Sequence, residues 1–287
     1  MLAPLAVPAQ LLFAAIAAAF APRRVAAVPI LAFLAVPWLV GPGQTTLAAT
    51  TALLSVVLFM RAAELWRERP ARPALDRLVH ALSIPDLRLA RRVSPRIDVR
   101  LAATGTLALF TGVGITAAAV SVVRPAYPAT PALTWVVGVV GFYLFFEGVD
   151  RSARTLYLLT GLEVEPTQRA PIRSRTISEF WGQRWNTIVR RWLAAMAFSP
   201  LARRWPRLGT FLAFVLSAAI HGWIMLPSLG WGAAARMGGF FLVHGALVLT
   251  ERALRVARWP GPWPRIWTIG WFAATAPLFM DPLLRLL

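Results

Sequence analysis

Cysteine and lysine are absent from the 287 residues, and histidine occurs only as His80, His221 and His244. Without a thiol there is no disulfide, no thiolate metal site and no cysteine acyl-enzyme. Acidic groups are scarce too: 12 Asp and Glu stand against 30 basic residues, all arginine, for a formal charge of +18. A base working near neutral pH must therefore be one of three imidazoles or one of a few carboxylates. The sequence also lacks a histidine pair at i,i+4, an HExxH motif, a carboxylate-histidine cluster of ligand spacing, a Gly-x-Ser-x-Gly elbow, a P-loop and a dinucleotide fingerprint. These absences predict no metal site, and they favour direct transfer with a histidine base over an acyl-serine intermediate. Gly112-Val-Gly114 lies in an apolar run with no strand before it, and reads as helix packing.

What is abundant is hydrocarbon. Apolar residues make up 58% of the chain, the mean hydropathy is +0.62, and the apolar residues come in blocks rather than in alternation. That composition predicts an all-α, multi-pass transmembrane helical bundle forming a single integral membrane domain over residues 1–287. About eight spans are expected, at residues 3–21, 25–41, 45–63, 101–123, 132–149, 208–227, 237–251 and 266–284. Many of the 13 tryptophans and 23 prolines stand near the ends of these blocks, where amphipathic rings suit the headgroup region. The first block is uncharged before its core and is followed by Arg23 and Arg24, opposite to the charge order of a signal peptide, so it reads as a retained helix with its N-terminus outside.

The +18 charge alone would suit a nucleic-acid binder. Its arginines sit between apolar blocks, however, and with an outside N-terminus they fall on one side: Arg23 and Arg24, residues 61–100, residues 150–207, and Arg252 to Arg265. The opposite side receives Gly41 to Gln44, Arg124 to Pro131 and Pro227 to Gly238, with only Arg124 and Arg236 among them. This is a positive-inside pattern, with both termini outside and no nucleic-acid partner. Residues 75–99 mix arginine with Leu, Val and Ile and predict a short interfacial helix. Residues 176–193 predict a second one, with Trp181, Trp185, Ile188 and Trp192 on one stripe and Glu179, Asn186 and Arg190 on the other face. Such a helix either rests on the membrane or turns its polar face into a chamber between spans, and periodicity does not separate the two.

The run Ile177-Ser-Glu-Phe-Trp-Gly-Gln-Arg-Trp-Asn186 is followed 35 residues later by His221 inside an apolar stretch. An imidazole in hydrocarbon is costly without a partner or a cavity, so His221 reads as an active-site histidine of a membrane enzyme. Ser217 stands four residues before it on the same helical face. In the next span His244 and Glu251 are seven residues apart and share a face. His244 alone also fits a hydrogen-bonding residue between helices.

Together these segments resemble the wax synthase branch of the membrane-bound O-acyltransferase family. The resemblance runs through Pro171, Ser178 to Asn186, then Ser217 to His221, then Phe240, Phe241, His244, Gly245 and Glu251, and covers the half at approximately 160–260. Gln183 stands where that family commonly has arginine, and Gly222 where it often has glutamate. The resemblance implies transfer of an acyl group from acyl-CoA, a co-substrate and the only cofactor-like partner, to the hydroxyl of a lipid-like alcohol, without a covalent intermediate. His221 would be the general base, and Asn186 would orient the thioester or stabilise the oxyanion. Trp181, Arg184, Trp185, Arg190, Ser217, His244 and Glu251 are the candidate substrate-binding residues, with Arg184, Arg190 and Arg191 placed to meet the CoA phosphates. A short acyl group on a natural-product or sugar hydroxyl is the alternative substrate, and a membrane carrier for an anionic lipid is the alternative class. The expected location is a bacterial cytoplasmic membrane. Gly138 and Gly141 would pack helices within one chain or between chains.

Overall fold

A computed structural model describes residues 6–40, 43–68, 73–123 and 131–286. Its helices are α1 (Ala6–Phe20), α2 (Arg23–Ala35), α3 (Thr45–Arg67), α4 (Ala74–Leu82), α5 (Val99–Ala118), α6 (Pro131–Leu159), α7 (Ile177–Glu179), α8 (Thr187–Leu193), α9 (Pro206–Ala253) and α10 (Trp263–Leu284). Two-residue strands β1 (Arg91–Arg92) and β2 (Leu162–Glu163) pair antiparallel, Arg91 opposite Glu163. The chain divides into two compact units, one comprising the residues up to Arg88, Ala218–Gly238 and Leu286, the other Leu89–Ser217 and Gly239–Arg285.

The first unit packs around small side chains. Ala14, Ala15 and Ala18 of α1 are buried with Ile30 and Phe33 of α2, Leu58, Ala62 and Leu65 of α3, and Ala81 of α4. Small residues let helix backbones approach where no water is present to drive burial. Into this apolar layer the chain inserts a polar knot. Arg61, 1% exposed, binds the Glu64 carboxylate and donates to the carbonyls of Ser83 and Ile84. His80 Nε2 lies 3.0 Å from Glu64 Oε2, and Arg88 reaches Glu64 at 3.1 Å and Asp86 at 2.8 Å. Glu64, His80 and Asp86 are close enough to share a cation, but a guanidinium already holds each carboxylate. Two cations balance two anions, as a buried ionic group requires.

Burial pushes the Asp86 carboxyl upward, but hydrogen bonding to Arg88 and the charges of Arg88, His80 and Arg61 outweigh it and hold it at about 2. A carboxyl depressed on folding stabilises fully above its unfolded value of about 4, and that contribution is lost as pH falls through the folded value. The thermal midpoint of the detergent-solubilised protein is therefore expected to fall more steeply between pH 5 and pH 3 than that of Asp86→Asn. Parallel slopes would remove Asp86 from the account.

In the second unit α5 and α6 run antiparallel along a glycine seam. A Cβ at Gly112 would overlap the Phe145 backbone, and one at Gly148 would overlap the backbone of Leu109. Gly141 meets Thr116 and Gly105 meets Arg151 in the same register. The helix-packing reading of Gly112-Val-Gly114 thus holds for Gly112 but not for Gly114, which meets nothing within 4 Å among the described residues, and Gly141 packs within the chain. Gly138 faces Met280 and Leu284 of α10, beside the bond from Trp135 Nε1 to Asp281 Oδ1 at 2.7 Å. Away from the seam α5 is bare: Leu107 is 69% and Phe110 71% exposed. Apolar faces of that size are stable against lipid rather than water.

The described parts of all eight predicted spans are helical, but their number is not reproduced. Among the described residues four helices are long and apolar enough to cross a membrane, at 45–67, 99–121, 132–159 and 206–253. Val7–Phe20 is a shorter apolar helix, and α2 gives way to a 3₁₀ turn at Val36–Leu39. The predicted connection from Pro227 to Gly238 shortens to a break at Gly230, φ 78°, ψ −176°, and spans 208–227 and 237–251 are the two arms of α9 on either side of it. Ala233 to Ala235 favour helix up to the break, and the arms fold back on one another, with Gly222 against Ala234, Gly238 against Ala218 and Gly245 against Phe214. Proline removes a backbone donor and glycine accepts positive φ, so the chain reverses direction there within a few residues. The predicted connection at Arg124 to Pro131 lies outside the described residues apart from Pro131, and that at Gly41 to Gln44 lies partly outside them.

Candidate active site

The predicted interfacial helix over 176–193 is not one helix. Thr176 caps α7, its Oγ1 accepting from the Glu179 amide at 3.0 Å. The chain then widens into a π-helix over Phe180–Arg184, extends at Trp185, turns left-handed at Asn186 with φ 42°, and re-enters a helix as α8. Asparagine is one of the few residues that tolerates this backbone region, because its side chain bonds locally. Ile188 and Trp192 of the predicted stripe are buried, while Trp181 and Trp185 are half-buried. Trp185 stacks on Phe180, with ring centroids 5.5 Å apart and planes at 14°, and Phe142 of α6 covers it.

The bend is braced from a neighbouring loop. Arg169 N–H donates to Arg184 O at 2.8 Å, Thr187 N–H to Thr167 O at 2.9 Å, and Asn186 N–H to Gln168 Oε1 at 3.3 Å. That loop hangs from α6, where Asp150 Oδ1 accepts the Thr167 amide at 2.7 Å and its hydroxyl as well. Asn186 Oδ1 accepts from Val189 N–H at 3.2 Å as the N-cap of α8. With the carbonyl so engaged, the free chemistry of Asn186 is its amide N–H₂ donor.

Trp181 and His244 come together, while Glu251 holds the start of the segment that carries Trp181. Trp181 Nε1 donates to His244 Nδ1 at 2.9 Å, so the imidazole proton resides on Nε2, 2.9 Å from Thr275 Oγ1. The Thr275 hydroxyl in turn donates to Trp271 O at 2.7 Å. His244 is 0% exposed, and both ring nitrogens have protein partners, the arrangement of a helix-bonding histidine. Glu251 accepts from Ile177 N–H at 2.9 Å and from Ser178 N–H at 2.7 Å. Thr275 and Asp150 escaped sequence reasoning, although a lone threonine in an apolar run and an acid at the end of one are polar signals of the kind that singled out His221.

Arg184 and Arg190 differ. Arg184 Nε donates to Glu179 Oε1 at 2.6 Å and its NH1 to Arg169 O at 3.0 Å, so it acts as a brace. Burial would raise the Glu179 carboxyl, but the Arg175 amide and the Arg184 guanidinium outweigh it and hold the acid below its ordinary range. Arg191 and Arg169 share one carboxylate, Glu165 Oε2, at 2.6 and 3.2 Å. The Nε of Arg190 is buried with no hydrogen-bond partner among the described residues, and burial with the like charges of Arg191 and Arg169 pulls its pKa below the ordinary guanidinium value. Three guanidiniums around one carboxylate make a local excess of positive charge. His221 is half-buried on α9, within the first unit, where Trp223 meets Trp38 edge-on at 6.0 Å. Ser217, 5% exposed, and Asn186 fall in the second unit.

Residues 164–243 match the family model described as "Membrane bound O-acyl transferase family". This segment is similar to the membrane-bound O-acyltransferases. It contains both Asn186 and His221 and stops one residue before His244. Among curated relatives, "Probable long-chain-alcohol O-fatty-acyltransferase 3" of Arabidopsis thaliana is 30% identical over 173 residues, 54% of this chain and 51% of that protein. "Long-chain-alcohol O-fatty-acyltransferase" of Simmondsia chinensis is 26% identical over 136 residues, 43% of this chain and 39% of that protein. "Acyl-CoA--sterol O-acyltransferase 1" of Arabidopsis thaliana is 27% identical over 122 residues, 39% of this chain and 35% of that protein. The segment is thus similar to proteins named long-chain-alcohol O-fatty-acyltransferases, the wax synthase type. The chain spans about half the length, or less, of these relatives. With its long apolar helices, it is an integral membrane protein.

Proposed function

We propose that this chain is a membrane O-acyltransferase that moves a fatty acyl group from acyl-CoA to the hydroxyl of a long-chain alcohol. The observation that carries the reading is the family match over 164–243, which takes in Asn186 and His221 together. The hydroxyl gives its proton to His221 as its oxygen attacks the thioester carbonyl. Asn186 donates from its amide N–H₂ to the oxygen that becomes negative. Collapse expels the CoA thiolate, which takes the proton back, leaving an ester and free CoA thiol. No bond to the protein forms, in keeping with a chain that has no cysteine.

The arginine cluster supports the donor. Arg190, Arg191 and Arg169 offer more positive charge than Glu165 neutralises, and guanidinium forks fit phosphate oxygens. Arg184, held by Glu179, is left out of the phosphate set. Apolar spans supply an anhydrous route for two lipid substrates and protect the thioester from hydrolysis. A sterol acceptor is the second reading, favoured by the name of one relative.

The test is release of free thiol by the purified protein in nanodiscs given palmitoyl-CoA with hexadecanol, a sterol or no acceptor. Release that depends on hexadecanol and is matched by ester is the expected result. Release only with the sterol selects the second reading. No release with a panel of donors and alcohols overturns the acyltransferase assignment for this chain.

A further inference from the structure

One carboxylate is placed to control the segment that ends in Asn186. The first amides of a helix have no partner of their own. In α7 three are satisfied: Thr176 Oγ1 takes the Glu179 amide, while the two oxygens of Glu251 take those of Ile177 and Ser178. Glu251 comes from the last turn of α9, 73 residues along the chain from Ser178, and is 3% exposed. Seven residues before it on α9 stands His244, which holds the Trp181 indole. Seven residues are two helical turns, about 10 Å along the axis. One face of α9 thus grips the segment at its first amides and again at Trp181.

We infer that Glu251 is a positioning residue for the acyl transfer, clamping the start of the segment whose far end presents Asn186. The inference rests on the proposed role of Asn186. A carboxylate suits the task because both its oxygens are acceptors. An amide offers one acceptor and turns a donor toward the other N–H. The opposite end of the segment is already fixed, through Arg184 O, Gln168 and Thr167, to Asp150. Freeing the Glu251 end therefore lets Trp181 to Asn186 pivot about that brace. Small displacements of a reacting group cost up to about 100-fold in rate.

The experiment compares full-length Glu251→Gln, Glu251→Asp and Trp181→Phe with the wild type in nanodiscs. For Glu251→Gln we expect kcat to fall between about 10-fold and 100-fold, with KM for both substrates within about twofold, the pattern of an interaction expressed only in the transition state. Amide hydrogen exchange should quicken in the peptide 174–186 and not in α5 or α6. Glu251→Asp, which keeps two acceptors, should recover part of kcat. Trp181→Phe, which removes only the indole bond to His244, should show a weaker form of the same split should Glu251→Gln fail to fold. Undiminished kcat in Glu251→Gln overturns the inference. So does a loss that follows the folded fraction while exchange in 174–186 stays unchanged. Full turnover by Asn186→Asp instead overturns the reading of Asn186, so the two failures appear in different variants.

Discussion

Asn186→Asp is expected to fold as the wild type does and to lose about 100- to 1,000-fold in kcat, the usual cost of removing one oxyanion donor. The substitution is chosen because Asn186 has two tasks. Its carbonyl caps α8 through Val189 N–H, and its backbone sits at φ 42°. Aspartate keeps a cap acceptor and tolerates that conformation. What it loses is the N–H₂ donor, and it brings a negative charge to where negative charge develops. Asn186→Ala would remove cap, donor and conformational tolerance together, costing about 1 kcal/mol for the cap alone, so its loss of activity would be ambiguous. The measurement is ester formed per folded protein, with the thermal midpoint recorded beside it. An Asn186→Asp protein with turnover within about twofold of the wild type would end the oxyanion assignment.

The two intramembrane histidines are expected to fail in different ways. His221→Ala should fold and lose about 100- to 10,000-fold in kcat, the range for removal of a general base. His244→Ala should lose mostly stability. It strands the Trp181 indole N–H and opens a void beside Thr275, and one buried unsatisfied donor costs about 1–3 kcal/mol. Per folded molecule it should retain at least about tenfold more activity than His221→Ala. The comparison is turnover against thermal midpoint for both variants. A His244→Ala protein of normal stability and no activity, beside an active His221→Ala, would exchange their roles.

The helical, membrane-spanning character was legible because it depends on composition summed over about 20 residues. The pairing of His244 with Glu251 on one face was legible for the same reason: seven residues in a helix return to the same side. Two kinds of feature were hidden. The first is local geometry set by a single residue. The 3.6-residue period that places Trp181 and Trp185 on one stripe says nothing about the π-turn at Phe180–Arg184 or the left-handed Asn186 that divides it. By contrast Pro227 and Gly230 look like turn residues, and the helix does break at Gly230. The second is partnership at long range. Thr275 lies 31 residues from His244 and Asp150 17 from Thr167, and nothing in either local window names the other partner. The sequence pointed to Arg184 and Arg190 as equals, and only the position of Glu179 distinguishes them.

The glycine seam between α5 and α6 also determines which parts of this protein evolution can vary freely. Gly148 rests on Leu109 two residues before Asp150, whose carboxylate suspends the loop under Asn186. A side chain added there would displace Asp150, and with it the bend, without touching any substrate. Changes at the seam would therefore be selected against for geometry, whereas bare positions of α5 such as Leu107 and Phe110 can exchange one apolar side chain for another at little cost.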